Sequence, residues 1–313
     1  MRSMVSTAAC NAPAVASPVA ARPATTVRLA DYLALTKPRI SVLVLLTVTA
    51  GYALGSADRW QAVPLLHALF GIALVAAASG AFNQLLERDS DSLMLRTLSR
   101  PLPAGRLSVA EVLLFGVLTG VVGIAWLALF VNAATAVLCT VTLVLYAGVY
   151  TPLKRRTSFC TAVGAIPGAL PPVLGWTASG APLDAAAFSL FAILFLWQFP
   201  HFLAIAWIYR GDYGQAGLKM LPVRGRLPRV TGLMAVGYAL ALIPFSLSPS
   251  ACGLAGSAYV AVALALSAGY LAAAVRFAAN ESLQSARTLL WTSLIYLPVL
   301  LVTLVWDHFS LLS

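Results

Sequence analysis

Charged residues are scarce in this sequence of 313 residues. Only 10% are Asp, Glu, Lys or Arg, whereas about 25% is usual in a soluble domain. Hydrophobic residues make up 60% of the chain, and the mean hydropathy is +0.89. This composition excludes a soluble globular enzyme and a disordered protein, and it indicates a polytopic membrane protein. The four cysteines are scattered, without a CxxC pair or a nearby histidine, which argues against a disulfide framework and a zinc motif.

Acidic residues are the rarer of the two charged classes. Ten Asp and Glu stand against 20 Lys and Arg, and the net charge is +10. In a soluble protein this excess would suggest a nucleic-acid partner. In a chain this apolar we expect the basic residues to set membrane topology instead, and we predict no nucleic-acid partner.

Nine stretches are long and apolar enough to cross a bilayer, for which a helix needs about 20 residues. They lie at roughly 38–56, 62–83, 108–129, 132–150, 159–178, 185–206, 229–248, 252–274 and 288–306. All but one of the 20 Lys and Arg residues fall on one side of these spans, the exception being Arg59. Because basic loops stay in the cytoplasm, we predict a cytoplasmic N-terminus and an external C-terminus.

Residues 1–30 are rich in Ala, Pro, Ser, Thr and Val. We predict a disordered cytoplasmic tail there, followed by one nine-helix transmembrane domain at 31–313. A transit peptide is the alternative. Pro13, Pro18 and Pro23 interrupt any long amphipathic helix, which favours the tail.

The ten acids divide into two groups. Six are isolated near span ends or in short loops, and we expect them to be solvated surface residues: Asp31, Asp58, Glu111, Asp184, Glu281 and Asp307. The other four lie in the two long predicted cytoplasmic loops: Glu87, Asp89 and Asp91 after the second span, and Asp212 after the sixth.

The first of these loops begins with NQLLERDSD at 83–91. If the second span continues as a helix, Asn83, Glu87 and Asp91 recur every four residues and share one face. Asp89 points in roughly the opposite direction. Three oxygen ligands on one face suit Mg²⁺, which takes one or two carboxylates and completes its shell with waters and phosphates.

Basic residues surround this acidic face. They are Arg88, Arg96 and Arg100 in the same loop, and Lys154, Arg155 and Arg156 in the next one. Acids that hold a metal, beside bases that bind a polyanion, suggest a diphosphate substrate. A solvated loop of mixed charge is the alternative, and the spacing alone leaves both open.

The second long loop places His201, Asp212 and Lys219 near the same membrane face. A single histidine near a span end is more often a packed or interfacial residue than a ligand, and the pattern alone favours that interpretation for His201. Pro200 before it predicts a kink in the sixth span.

Three long segments resemble the UbiA-type intramembrane prenyltransferases. NQLLERDSDSLMLRTLSRPLPAGRL (83–107) resembles the NxxxDxxxD motif of that superfamily. YTPLKRRTSFCTAVGAIPGALPPVLGW (150–176) and FPHFLAIAWIYRGDYGQAGLKMLP (199–222) are similar to the branch whose acceptor is haem. The resemblance extends from LTKPRI (35–40) to the ninth span.

The resemblance implies an all-α membrane protein with nine transmembrane helices around a central cavity, which cytoplasmic loops cap. It implies metal ligands at Asn83, Glu87, Asp91 and Asp212, and catalytic roles for these four with Tyr150 and Lys154. It implies diphosphate contacts from Arg96, Arg100, Lys154 and Arg155, to which we add Lys37, Arg39 and Arg210 as cations of the same membrane face. His201 and Tyr213 match positions of the haem branch.

The resemblance also implies a reaction. Farnesyl diphosphate and haem B would give haem O and diphosphate, with one or more Mg²⁺ ions as cofactor and haem B as substrate. It implies a bacterial cell (inner) membrane as the location, and haem A synthase or terminal-oxidase assembly factors as partners. Another aromatic acceptor, a quinone precursor or chlorophyllide, is the alternative within the superfamily. A transporter is a rival of a different class, but few charges lie in mid-span, where a transporter needs them.

Overall fold

The computed structural model describes residues 24–56, 59–219 and 229–313. Within these ranges all the regular structure is helical. The first helix, α1, covers Ala24–Leu35 and therefore begins within the predicted tail, whose extent stays a prediction. The chain has no proline between Pro23 and Pro38, and therefore nothing in that segment interrupts a helix. The rest of the predicted tail, residues 1–23, lies outside the described residues.

Twelve further helices follow within the described part of the chain. They are α2 (Pro38–Ser56), α3 (Ala62–Asp91), α4 (Val109–Phe130), α5 (Ala133–Leu143), α6 (Thr151–Leu153), α7 (Cys160–Ala169), α8 (Pro171–Ala178), α9 (Ala185–Ile208), α10 (Arg210–Gln215), α11 (Val230–Ala251), α12 (Ser257–Ala279) and α13 (Leu283–Leu312).

Eight helical segments of the described residues are long and apolar enough to cross a membrane. The predicted span at 159–178 is not among them, because it is divided into α7 and α8 at Leu170. Pro171 and Pro172 follow this break, and proline lacks the amide hydrogen that would continue the helix. The prediction of an all-α membrane protein is confirmed. The predicted count of nine spans is not confirmed, since the fifth is a pair of short helices.

A π-helical segment, Val144–Tyr150, joins α5 to α6. Its wider turn, with hydrogen bonds between residues five apart, changes the direction of the side chains that follow. Thr151 and Lys154 come directly after it, and both contact side chains of α3.

Glycines let neighbouring helices approach closely. A Cβ atom at Gly51 would lie 1.9 Å from the backbone oxygen of Pro172, and one at Gly175 would lie 1.9 Å from that of Val48. The backbones of α2 and α8 are therefore in direct contact. Small residues at interfaces are typical of helices that associate within lipid.

Two main clusters of buried apolar side chains form the interior. The larger joins α9, α11, α12 and α13, with Leu190, Leu242, Tyr270 and Leu300 among its members. The second joins α2, α3, α4 and α8, with Val48, Ile72, Leu127 and Leu174 among its members. Many large apolar side chains also face outward, as expected for helices that contact lipid acyl chains.

Two of the isolated acids are buried rather than solvated as we predicted, whereas Asp184 is exposed as expected. Asp31 is 5% exposed and pairs with Arg106 at 2.8 Å. Asp307 is 6% exposed and accepts hydrogen bonds from the backbone N–H groups of Gly256 and Tyr259, at the start of α12.

Three more isolated acids accept hydrogen bonds at helix N-termini. They are Glu111 at α4, Asp184 at α9 and Glu281 at α11. The first N–H groups of a helix have no partner within it, and a nearby carboxylate stabilises that end of the helix by accepting hydrogen bonds from them. Asp58 lies outside the described residues.

Candidate active site

The C-terminal end of α3 carries three buried side chains with oxygen acceptors on one face. Asn83, Glu87 and Asp91 are 1%, 9% and 0% exposed, whereas the side chain of Asp89 is 71% exposed. This burial agrees with the predicted common face. With 30 residues, α3 is about 45 Å long, longer than the roughly 30 Å hydrocarbon layer. The end of α3 can therefore lie at the membrane surface.

Lys37, between α1 and α2, donates a hydrogen bond from Nζ to Oδ1 of Asn83. Its φ of 50° lies in the left-handed region, which residues other than glycine rarely adopt. Gln84 fixes this segment, because its Nε2 donates to the carbonyl oxygens of Ala34 and Leu35 at 3.1 and 3.3 Å. The end of α1 is thus attached to α3 at the position that brings the Lys37 ammonium to the acidic face.

Lys154 pairs with Glu87 at 2.6 Å, and the two side chains are 13% and 11% exposed. Its Nζ also lies 4.5 Å from the centre of the Tyr150 ring, and Thr151 accepts a hydrogen bond from Asn83 Nδ2 at 3.2 Å. Burial opposes the charged form of Lys154, but Tyr150 and Glu87 outweigh it and raise the pKa of Lys154 above its ordinary value. Lys154 is therefore charged at neutral pH.

Arg100 pairs with the fully buried Asp91, with 2.6 Å between Nη1 and Oδ2. Thr97 donates from Oγ1 to the backbone oxygen of Asp91 at 2.9 Å and draws the loop back over the end of α3. The other carboxylate oxygen, Asp91 Oδ1, is buried without a partner among the described residues. Such an acceptor carries a desolvation cost until something binds it, so Oδ1 is available to a metal ion.

The other predicted diphosphate ligands do not contact the three acceptors. Arg155 is 3.5 Å from the Ser90 hydroxyl and its side chain is 46% exposed. Arg39 is exposed. Arg210 donates to the backbone oxygen of Trp207 at 2.7 Å. Their assignment to the diphosphate stays a prediction.

The second predicted cytoplasmic loop meets the first one above this site. The guanidinium of Arg96 lies 5.0 Å from the ring centre of Tyr209 and 6.0 Å from that of Tyr213. The backbone N–H of Lys219 donates to the backbone oxygen of Lys154 at 2.9 Å. Arg96 therefore holds the two loops together, while the sequence suggested only a diphosphate contact for it.

Asp212, the remaining predicted metal ligand, is partly buried on α10. No three His, Cys, Asp or Glu side chains of the described residues lie close enough together to hold a metal ion. A metal site here would depend on two carboxylates and an amide, from Glu87, Asp91 and Asn83, which suits Mg²⁺. A role for Asp212 stays a prediction.

His201 is packed between α9 and α13. Its Nδ1 lies 2.8 Å from the Ser293 hydroxyl, and its ring stacks on Trp197 with 5.0 Å between centres. This packing agrees with the interpretation that the residue pattern alone favoured. The role near haem implied for His201 and Tyr213 stays a prediction.

Sequence reasoning missed three polar residues that shape the site. Gln84 attaches α1, Thr97 folds the loop back and Thr151 supports Asn83. Gln84 and Thr151 directly follow predicted site residues, Asn83 and Tyr150, which is the one signal that could have indicated them. Thr97 gives no such signal, because a threonine in a loop is unremarkable.

The sequence pattern of the UbiA prenyltransferase family matches residues 44–306. A protoheme IX farnesyltransferase of Solibacter usitatus (strain Ellin6076) is 45% identical over 279 residues, which cover 86% of this chain and 96% of that protein. Another, of Myxococcus xanthus (strain DK1622), is 43% identical over 89% of this chain and 94% of that protein.

Solved structures share the fold at low sequence identity. A digeranylgeranylglyceryl phosphate synthase superposes with a TM-score of 0.76 at 16% identity, covering 90% of this chain and 99% of that one. A UbiA homologue from Archaeoglobus fulgidus, bound to GPP and Mg²⁺, superposes with a TM-score of 0.64 at 19% identity, with the same coverage.

Proposed function

The chain belongs to the UbiA prenyltransferase family, and we propose that it transfers the farnesyl group of farnesyl diphosphate to a vinyl group of haem B. The product is haem O. The family predicted from the sequence motifs is confirmed, and with it a multi-span membrane prenyltransferase. The names of the similar proteins support haem B as the acceptor. The observation that carries the diphosphate half of the proposal is the buried acidic face of α3, surrounded by cations.

Mg²⁺ would be held by Asn83, Glu87 and Asp91. The buried, unpartnered Oδ1 of Asp91 supports this assignment, as does the chemistry of the three donors. When bound, Mg²⁺ supplies charge stabilisation for the departing diphosphate. Asp212 could add a further ligand from the second loop.

Lys37, Lys154 and Arg100 provide the protein's own contribution to diphosphate binding. Each donates a hydrogen bond to an acceptor on α3. With those acceptors holding Mg²⁺, the Lys37, Lys154 and Arg100 side chains would bind phosphate oxygens at the same place. Charged donors of this kind favour the polyanion, and they favour it more as its negative charge grows in the transition state.

The reaction balances with one water molecule. The allylic C–O bond of farnesyl diphosphate breaks, and its electron pair leaves with the diphosphate. The π electrons of a haem vinyl group form the new bond to the farnesyl carbon. Water adds to the resulting cation and loses a proton, which gives the hydroxyethylfarnesyl group. The apolar interior of the helix bundle suits both apolar substrates and restricts other water.

The charge pattern of the loops supports an N-terminus in the cytoplasm and an external C-terminus. The resemblance to the haem branch supports a bacterial inner-membrane location. In this orientation the acidic face of α3 lies at the cytoplasmic surface, where a soluble diphosphate headgroup is accessible. Haem A synthase or terminal-oxidase assembly factors would be the partners that take up the product.

The test is conversion of haem B by the purified protein with farnesyl diphosphate, with and without Mg²⁺, followed by mass spectrometry. We expect a Mg²⁺-dependent product heavier than haem B by the farnesyl group plus one hydroxyl group. Parallel reactions contain a quinone precursor or chlorophyllide instead. Prenylation of one of these, with none of haem B, would replace the proposed acceptor and keep the diphosphate site.

A further inference from the structure

The hydrogen bonds of Ser293 define the protonation of the His201 ring. The Ser293 hydroxyl donates to the backbone oxygen of Leu290 at 2.6 Å, and the same oxygen lies 2.8 Å from His201 Nδ1. A hydroxyl has one hydrogen to donate and two lone pairs to accept with. Ser293 therefore accepts the bond from His201, and Nδ1 carries the hydrogen.

The other ring nitrogen of His201, Nε2, then bears the lone pair of a neutral imidazole. No carboxylate within the described ranges forms an ion pair with His201, so nothing there offsets the cost of charging the ring inside an apolar helix. Among these same residues Nε2 has no hydrogen-bond partner, whereas Nδ1 has one.

The orientation of the ring is fixed as well as its protonation. Trp197, one turn earlier on α9, stacks on His201 with 23° between the ring planes. Trp197 Nε1 donates to the backbone oxygen of Ser293 at 2.9 Å, and its own backbone oxygen accepts from Tyr270 at 2.9 Å. One residue of α13 thus binds both aromatic rings. His201 lies seven residues before the end of α9, about 10 Å from that end.

We propose that Ser293 is a positioning residue, which keeps His201 in the tautomer whose Nε2 ligates the iron of the porphyrin acceptor. Imidazole nitrogen is a common axial ligand of haem iron. Metal-bound histidines generally donate their other ring N–H to a supporting acceptor, which sets the ring orientation and raises ligand basicity. The inference rests on the proposed function, because it requires a haem acceptor.

The experiment compares Ser293→Ala and Ser293→Thr with the unaltered protein. Each is titrated with ferric haem B and with iron-free protoporphyrin IX, and haem binding is followed by visible absorbance. Ser189→Ala is the matched control, because Ser189 is also buried and its hydroxyl also donates to a carbonyl three residues earlier, that of Ala186 at 2.7 Å.

We expect Ser293→Ala to weaken haem binding at least about 10-fold, the usual effect of losing such a supporting partner. Its haem spectrum should change, and binding of protoporphyrin IX should not. Ser293→Thr keeps the hydroxyl and should behave as the unaltered protein does. His201→Ala should lose the same spectral signature, and free imidazole should restore it. In turnover, Ser293→Ala should raise the KM for haem B and leave that for farnesyl diphosphate unchanged.

Two results would overturn the inference. One is an unchanged haem affinity and spectrum in Ser293→Ala. The other is an equal loss of haem and protoporphyrin IX, which would show that Ser293 only supports the fold. If Ser293→Ala does not fold, His201→Ala with and without imidazole decides the question in the same way. Failure of the proposed function is distinguishable, because then the unaltered protein makes no product from haem B.

Discussion

Replacing Asp91 by Asn removes one negative charge from the acidic face of α3 and keeps the size of the side chain. Asp91 is fully buried, one oxygen pairs with Arg100 at 2.6 Å and the other has no partner among the described residues. We expect two separate effects, one on stability and one on turnover. The variant distinguishes a metal ligand from a structural ion pair, because only the first changes the Mg²⁺ dependence.

The effect of Asp91→Asn on stability should be moderate. Breaking a fully buried ion pair costs about 3–5 kcal/mol, but the Arg100 side chain is 24% exposed and can still reach water. A loss of about 1–3 kcal/mol is therefore expected. The effect on turnover should be larger. Losing a metal ligand that contributes about 3 kcal/mol to transition-state stabilisation lowers the rate about 100-fold, since about 1.4 kcal/mol is a factor of ten.

The measurement is haem O formation over a range of Mg²⁺ concentrations, beside thermal unfolding in detergent. Asp89→Asn is the control, because it makes the same chemical change two residues away at a side chain that is 71% exposed. We expect it to change turnover less than about twofold. A folded Asp91→Asn protein with turnover within threefold of the unaltered enzyme would refute the metal assignment. Equal losses in both variants would instead indicate a general effect of charge.

Three further changes test other parts of the site. Lys154→Ala should raise the KM for farnesyl diphosphate about 10-fold or more, because the ammonium no longer reaches the phosphates; an unchanged KM and turnover in steady-state kinetics would remove Lys154 from the site. Arg96→Leu should make the second loop more sensitive to limited proteolysis and lower turnover severalfold, since each lost cation–π contact contributes about 0.5–2 kcal/mol. An unaltered rate of proteolysis would contradict the role of Arg96 in joining the two loops. Gly51→Ala should lower the unfolding temperature, because the new Cβ would meet the backbone oxygen of Pro172. Gly237→Ala is the control and should not lower it, since open space surrounds that position. Equal unfolding temperatures of the two variants would contradict the close contact of α2 and α8.

The acidic face could be predicted from the sequence because its geometry is local. Asn83, Glu87 and Asp91 lie on one helix, so a spacing of four residues is enough to place them together. The helical spans could also be predicted, because length and hydropathy depend on neighbouring residues only. The break at Leu170 was missed, since proline is tolerated in many membrane helices and the sequence does not show where it will divide one.

Contacts between distant segments could not be predicted in this way. The bond of Ser293 to His201 joins residues 92 positions apart, and the bond of Gln84 to Leu35 joins residues 49 apart. The burial of Asp31 and Asp307 was missed for a related reason. An acid near a span end can face water or the N–H groups of another helix, and only the packing decides between them, as it does for Asp307.

The ion pairs at the end of α3 would explain how the proposed polyanion site can exist at the end of an apolar bundle. Burying Glu87 and Asp91 alone would carry a large desolvation cost, yet Lys154 and Arg100 neutralise them. These cations come from different segments of the chain, and so does Lys37, so the same pairs also draw those segments towards the end of α3. On binding, a metal ion would pair with the carboxylates of α3, and the diphosphate would pair with the three cationic side chains. The exchange would therefore leave no buried charge without a partner, and metal and diphosphate should bind more tightly together than either does alone.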